Sequence, residues 1–138
     1  MKLRILAATL LAVLPVLGCS AAGDTAALVG PTWRLTTLRG EPVAATPEVT
    51  AVFAPDGKIA GSGGCNRYFG AATATGDTLK ISPLASTMMA CEPQTVMAQE
   101  AHYLQTLEAA AHWGVVGDTL TISDASGAAL LTYVRTAA

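Results

Sequence analysis

Gly61-Ser62-Gly63-Gly64-Cys65-Asn66-Arg67-Tyr68-Phe69-Gly70, or GSGGCNRYFG, sets one cysteine in a glycine run just ahead of an asparagine. Four chemistries use such a stretch: a phosphate loop, a cysteine nucleophile, a metal ligand and half of a disulfide. A phosphate loop needs Lys and Ser or Thr after its last glycine. A dinucleotide fingerprint needs a third glycine where Asn66 stands, and then a helix. The residues after Asn66 read as a strand. A nucleophile needs a base, and the two histidines, His102 and His112, sit in no recognisable local signature. As metal ligands, Cys65, Cys91, His102 and His112 lack the paired C-x-x-C or H-x-x-H spacing that puts two donors on one turn. The four methionines do not cluster as a copper site would, although Met88-Met89 lie beside Cys91.

The disulfide reading depends on how the three cysteines divide. MKLRILAATLLAVLPVLGCS opens with Lys2 and Arg4, continues as an apolar run from Ile5 to Leu17, and closes with Gly18-Cys19, the order of an export signal. The run is shorter than the ~20 residues of a membrane-spanning helix. Val16-Leu17-Gly18-Cys19 resembles a bacterial lipobox, so residues 1–18 are expected to be removed and Cys19 to be lipidated, with 19–27 as a small-residue tether and 28–138 as the domain. Ser20, rather than Asp, favours the outer membrane facing the periplasm. Cys65 and Cys91 remain, an even pair in an oxidising compartment, and their pairing is expected. Closing a loop of that length stabilises a small domain by roughly 3–4 kcal/mol. Two free thiols would instead reopen the redox and metal readings.

Composition narrows the partners. Without Lys2 and Arg4 the chain has six basic residues against ten acidic ones, and the basic ones are scattered singly, so no face suits nucleic acid. The length left after the signal is enough for one core.

Most of the domain alternates short β-favouring runs with turns. The strands are Trp33–Leu38, Thr50–Phe53, Lys58–Gly61, Asn66–Ala72, Thr78–Ser82, His112–Val116, Thr119–Ser123 and Ala129–Val134, with turns at Pro55-Asp56-Gly57, Gly76-Asp77, Gly117-Asp118 and Ser126-Gly127. One segment breaks the pattern. From Pro93 to Ala111, Val96, Met97, Ala101, Leu104, Leu107 and Ala111 recur at helical spacing, and Pro93 suits the first helical position. That stripe is expected to be core. The fold class is α+β: a mostly antiparallel curved β-sheet, a small barrel-like meander, with one amphipathic helix packed on it. Gly61, Gly63 and Gly64 then read as a tight corner, with Asn66 bonding nearby backbone.

At these residues the sequence resembles the META domain family, whose bacterial members include HslJ-like heat-shock lipoproteins. Trp33-Arg34-Leu35 matches its W-x-L strand, Gly61 through Tyr68 its G-x-G-G-C-N-x-Y signature, and Thr87-Met88-Met89-Ala90-Cys91 its T-x-M-A-C. Glu100, Leu104 and Leu107 match the helix that carries a glutamate and spaced leucines. The resemblance implies a compact, mostly β domain in an envelope lipoprotein, with links to heat shock and novobiocin resistance and no agreed molecular activity. It supplies no catalytic residues, metal or cofactor. Gly63, Gly64, Asn66, Thr87 and Glu100 are therefore structural-motif candidates, and Glu100 is expected to bond the glycine corner or Asn66. The functional expectation is a non-enzymatic protein, held on the membrane through Cys19, that binds an envelope protein or an apolar ligand. The alternatives are a lipid-binding, pilot-like protein and a redox or metal-binding protein using Cys65 and Cys91.

Overall fold

A computed structural model describes residues 24–136. The expected signal segment 1–18, Cys19 and the tether up to residue 23 lie outside the described residues. Of the expected tether, Thr25–Ala27 form a 3₁₀ turn capped by the Asp24 carboxylate. Leu28 is already core, and its carbonyl accepts the Trp33 indole N–H at 3.0 Å.

The strands are β1 (Thr32–Leu38), β2 (Glu41–Pro42), β3 (Thr50–Phe53), β4 (Lys58–Ser62), β5 (Arg67–Thr75), β6 (Thr78–Ile81), β7 (Ala85–Ser86), β8 (His112–Val116), β9 (Thr119–Ser123) and β10 (Ala129–Arg135). The helix α1 (Gln94–Glu108) lies between β7 and β8. Antiparallel pairing runs β10-β9-β8-β6-β5-β4-β3-β1, and β1 pairs back onto β10. Eight strands therefore form a closed barrel, which leaves β2 and β7 as short additions and removes the long free edges of an open sheet.

Alternation decides which side chains face inward. β3, β4, β6 and β9 each bury every second residue, giving Ala51, Phe53, Ile59, Leu79, Ile81, Leu120 and Ile122 to the core. A bulge at Leu130, where β10 pairs with β9, lets Leu130 and Leu131 be buried in succession.

The helix departs from expectation in two respects. Pro93 is the N-cap residue, in an extended conformation, and helical turns begin at Gln94 and stop at Glu108, short of Ala111. The buried face is Glu100, Tyr103, Thr106 and Leu107, whereas Met97 and Ala101 are exposed and Leu104 is half-buried. The apolar stripe read from spacing is thus largely not core. Polar anchors rotate the helix: Glu100 bonds the β4–β5 corner, Tyr103 bonds two barrel tyrosines, and Thr106 accepts from Arg39 Nε at 3.2 Å. These fix a face one residue out of phase with the greasy one, and burial follows the anchors.

Candidate functional site

The glycine-rich stretch 61–70 forms a corner between β4 and β5 that wraps around a carboxylate. Gly63 N–H donates to the Asn66 carbonyl at 2.8 Å, and Gly64 adopts φ +113°, a left-handed conformation that favours glycine. A Cβ on Gly63 would stand 2.6 Å from Glu100 Cγ and 2.7 Å from its Oε2. Only a residue without a side chain lets the helix carboxylate lie over this backbone.

Glu100 is 6% exposed and accepts three hydrogen bonds. Cys65 N–H at 2.9 Å and Asn66 N–H at 2.5 Å converge on Oε2, and Asn66 Nδ2 donates to Oε1 at 2.8 Å. Asn66, 4% exposed, uses every donor and acceptor of its amide. Besides Glu100, Nδ2 donates to the Met89 carbonyl at 3.2 Å, while Oδ1 accepts Thr87 Oγ1–H at 2.8 Å and Met89 N–H at 2.7 Å. Thr87 Oγ1 in turn accepts Arg67 N–H at 3.2 Å. A disulfide joins Cys65 to Cys91 across the same junction, with Cα atoms 5.8 Å apart. Gly63, Gly64, Cys65, Asn66, Thr87, Cys91 and Glu100 therefore form one cluster, as the sequence motifs suggest. It ties the corner, the 87–91 segment and α1 together. Its polar groups are spent on one another, so its chemistry is that of a staple.

A second buried network carries no motif in the sequence. Tyr68 Oη lies 2.8 Å from the Thr50 carbonyl and 2.8 Å from Tyr103 Oη, which is 3.1 Å from Tyr133 Oη. A carbonyl only accepts, so Tyr68 gives its proton to Thr50, Tyr103 gives its own to Tyr68, and Tyr133 donates to Tyr103. Burial pushes all three phenols above their ordinary pKa. The one signal of it is the helical spacing of Tyr103, three residues after Glu100 and one turn along the same face.

The histidines stay apart from the cysteines in role. His112 is in β8, paired with Thr78 and Ser123, and His102 lines a surface groove of about 370 Å³ with Leu38, Arg39, Glu41 and Val43. Among the described residues, no group of three or more His, Cys, Asp or Glu side chains is placed to hold a metal ion. With both thiols in the disulfide, a nucleophilic or thiolate-ligand role for Cys65 or Cys91 has no thiol to use.

The outward stripe of α1 borders a second surface groove. Met97, Ala101 and Leu104 form one wall of a groove of about 320 Å³ whose other wall is Ser86 to Ala90. Met88 is 93% exposed, Met89 55% and Met97 36%. Met88 and Met89 are adjacent and Met97 lies eight residues on in the helix, and the fold brings all three to one groove, contrary to the expectation that the methionines do not cluster.

An eight-stranded antiparallel barrel with a helix stapled to a glycine-asparagine corner defines the structural class. The META domain family model matches residues 26–137, and the chain belongs to that family. Among curated proteins none matches. Among solved structures, one determined by NMR from Burkholderia xenovorans is 22% identical over 99% of this chain and 100% of its own, with a TM-score of 0.66. Another NMR structure is 24% identical over 80% of this chain and 93% of its own, at 0.64. A crystal structure of a DUF4847 family protein from Bacteroides vulgatus is 15% identical over 81% and 96%, at 0.60. At these identities the likeness is one of fold.

Proposed function

We propose that the protein is a non-enzymatic lipoprotein of the bacterial envelope, anchored through Cys19 in the outer membrane facing the periplasm, which binds an apolar ligand or an apolar segment of an envelope protein and thereby supports stress tolerance. The observation that carries this reading is the groove between α1 and residues 86–90. Large apolar side chains are exposed there next to the disulfide and the Glu100 cluster, and methionine adapts its shape to varied apolar partners. The pairing of Cys65 with Cys91 favours binding over thiol chemistry. A lipid carrier with its cavity between helix and sheet is less favoured, because Tyr68, Tyr103 and Tyr133 fill that space.

The test uses full-length protein extracted from membranes in mild detergent. Intact mass after alkylation without reduction is expected to show loss of residues 1–18, lipid on Cys19 and no alkylated thiol. Crosslinking in cells from position 88 is expected to trap one protein partner, or acyl chains are expected to co-purify through gel filtration, and Met88→Gln with Met97→Gln removes either. An unlipidated Cys19 refutes the anchor. Capture unchanged in the glutamine variant refutes the groove.

A further inference from the structure

We propose that the methionine groove is a thioether site for a soft monovalent cation, Cu(I). All three methionines of the described domain line it: Met88 and Met89 on one wall and Met97 on the other. Met97 Sδ accepts the Cys91 N–H at 3.4 Å, which places that sulfur at the groove and leaves its second lone pair unused. Met88 and Met89 have exposed, flexible side chains that can turn toward it.

The remaining lining selects the charge and softness of the guest. It contains no Lys, Arg or His, and its inner wall carries the Glu100 carboxylate, so the local field favours a cation. That carboxylate is already taken by three N–H donors, and hard ions such as Mg²⁺ or Ca²⁺ need several free oxygens. Zinc requires thiolate, imidazole or carboxylate donors, and the thiols here are in the disulfide. Neutral thioethers suit Cu(I). Three sulfur-to-copper dative bonds form as the ion leaves a weaker donor. No electron moves and no proton is released, so binding does not depend on pH where a histidine or thiol site would.

This inference does not rest on the docking of an apolar partner, and leucine separates the two. Leucine keeps the groove apolar and deletes the sulfur. The experiment is a titration of full-length protein, labelled at methionine methyl groups, with Ag(I) as a redox-silent probe and with Cu(I) held reduced by ascorbate against a competing chelator. The methyl resonances of Met88, Met89 and Met97 are expected to shift together and saturate at one ion per chain, with affinity flat between about pH 8 and pH 5. Each single Met→Leu change is expected to weaken binding about tenfold or more. The triple variant M88L/M89L/M97L is expected to keep the wild-type melting temperature and lose the ion. Methyl shifts without a common saturation point, silver held equally by the triple variant, or affinity that falls with pH overturn the proposal. Met88→Leu alone alters the most exposed of the three and provides the same test should the triple variant fold poorly.

Discussion

Replacing Glu100 with glutamine changes one atom's chemistry and leaves its volume nearly intact, so the cost isolates the hydrogen bonding at the corner. In the native cluster both carboxylate oxygens face donors only: Cys65 and Asn66 N–H on one side and Asn66 Nδ2–H on the other. A glutamine amide has one oxygen. If the oxygen faces the backbone pair, its NH₂ meets the Asn66 NH₂; if it is turned round, its NH₂ meets two backbone amides. Asn66 cannot flip to relieve this, because its Oδ1 already accepts Thr87 O–H and Met89 N–H. The substitution thus weakens charge-assisted bonds and leaves at least one buried donor opposed by another. Unsatisfied buried groups cost about 1–3 kcal/mol and bonds to charged groups contribute about 1.5–3, so a net loss of about 3 kcal/mol is expected. For a domain of this size that corresponds to a fall of roughly 12 °C in melting temperature, measured by calorimetry with the disulfide intact. The control is Glu108→Gln, whose carboxylate accepts a single exposed N–H from Leu84 and is expected to change stability by less than about 1 kcal/mol. A Glu100→Gln protein that melts within about 3 °C of wild type refutes the staple.

Gly63→Ala forces a Cβ against Glu100 Cγ and Oε2 and is expected to cost about as much as losing the carboxylate, since the helix must withdraw; a denaturant titration measures it. Reduction of Cys65–Cys91, 26 residues apart, is expected to cost roughly 3–4 kcal/mol, read as a shift of the denaturation midpoint. The direction of the tyrosine chain ranks its variants. Tyr133→Phe removes only the first donor, whereas Tyr103→Phe orphans the Tyr133 proton and Tyr68→Phe orphans the Tyr103 proton and also strips the Thr50 carbonyl, so melting temperature is expected to fall least for Tyr133→Phe and most for Tyr68→Phe. The same three residues are the protein's only tyrosines and their pKa values are raised in the folded state, so their contribution is complete below the unfolded value of about 10 and is lost as pH rises beyond it. Stability is expected to drop by up to about 4 kcal/mol per pH unit there, with phenolate absorbance appearing only as the barrel unfolds.

Alternation and turn chemistry make the barrel strands legible because each lies in a few consecutive residues: β8 and β9 have the expected bounds, and β3 and β4 differ by one residue at most. The barrel-like meander is legible as a class, but which strands close it is not, since Trp33 in the first strand pairs with Arg135 in the last. The corner can be read from Gly63, Gly64 and Asn66 because backbone that requires glycine leaves a local trace, whereas Glu100 is legible only through the family resemblance, since spacing does not turn it inward. The helix shows where such reading stops. Spacing alone marks Met97, Ala101 and Leu104 as core, for a helix whose orientation is free to follow its apolar moment. Here orientation is fixed first, by Glu100, Tyr103 and Thr106 bonding three separate parts of the barrel, and these polar anchors stand one residue out of phase with the apolar stripe. Hydrophobicity that folding leaves unburied, next to the disulfide and the carboxylate that hold α1 in place, is therefore the part of this sequence that the fold does not use and on which the proposed binding rests.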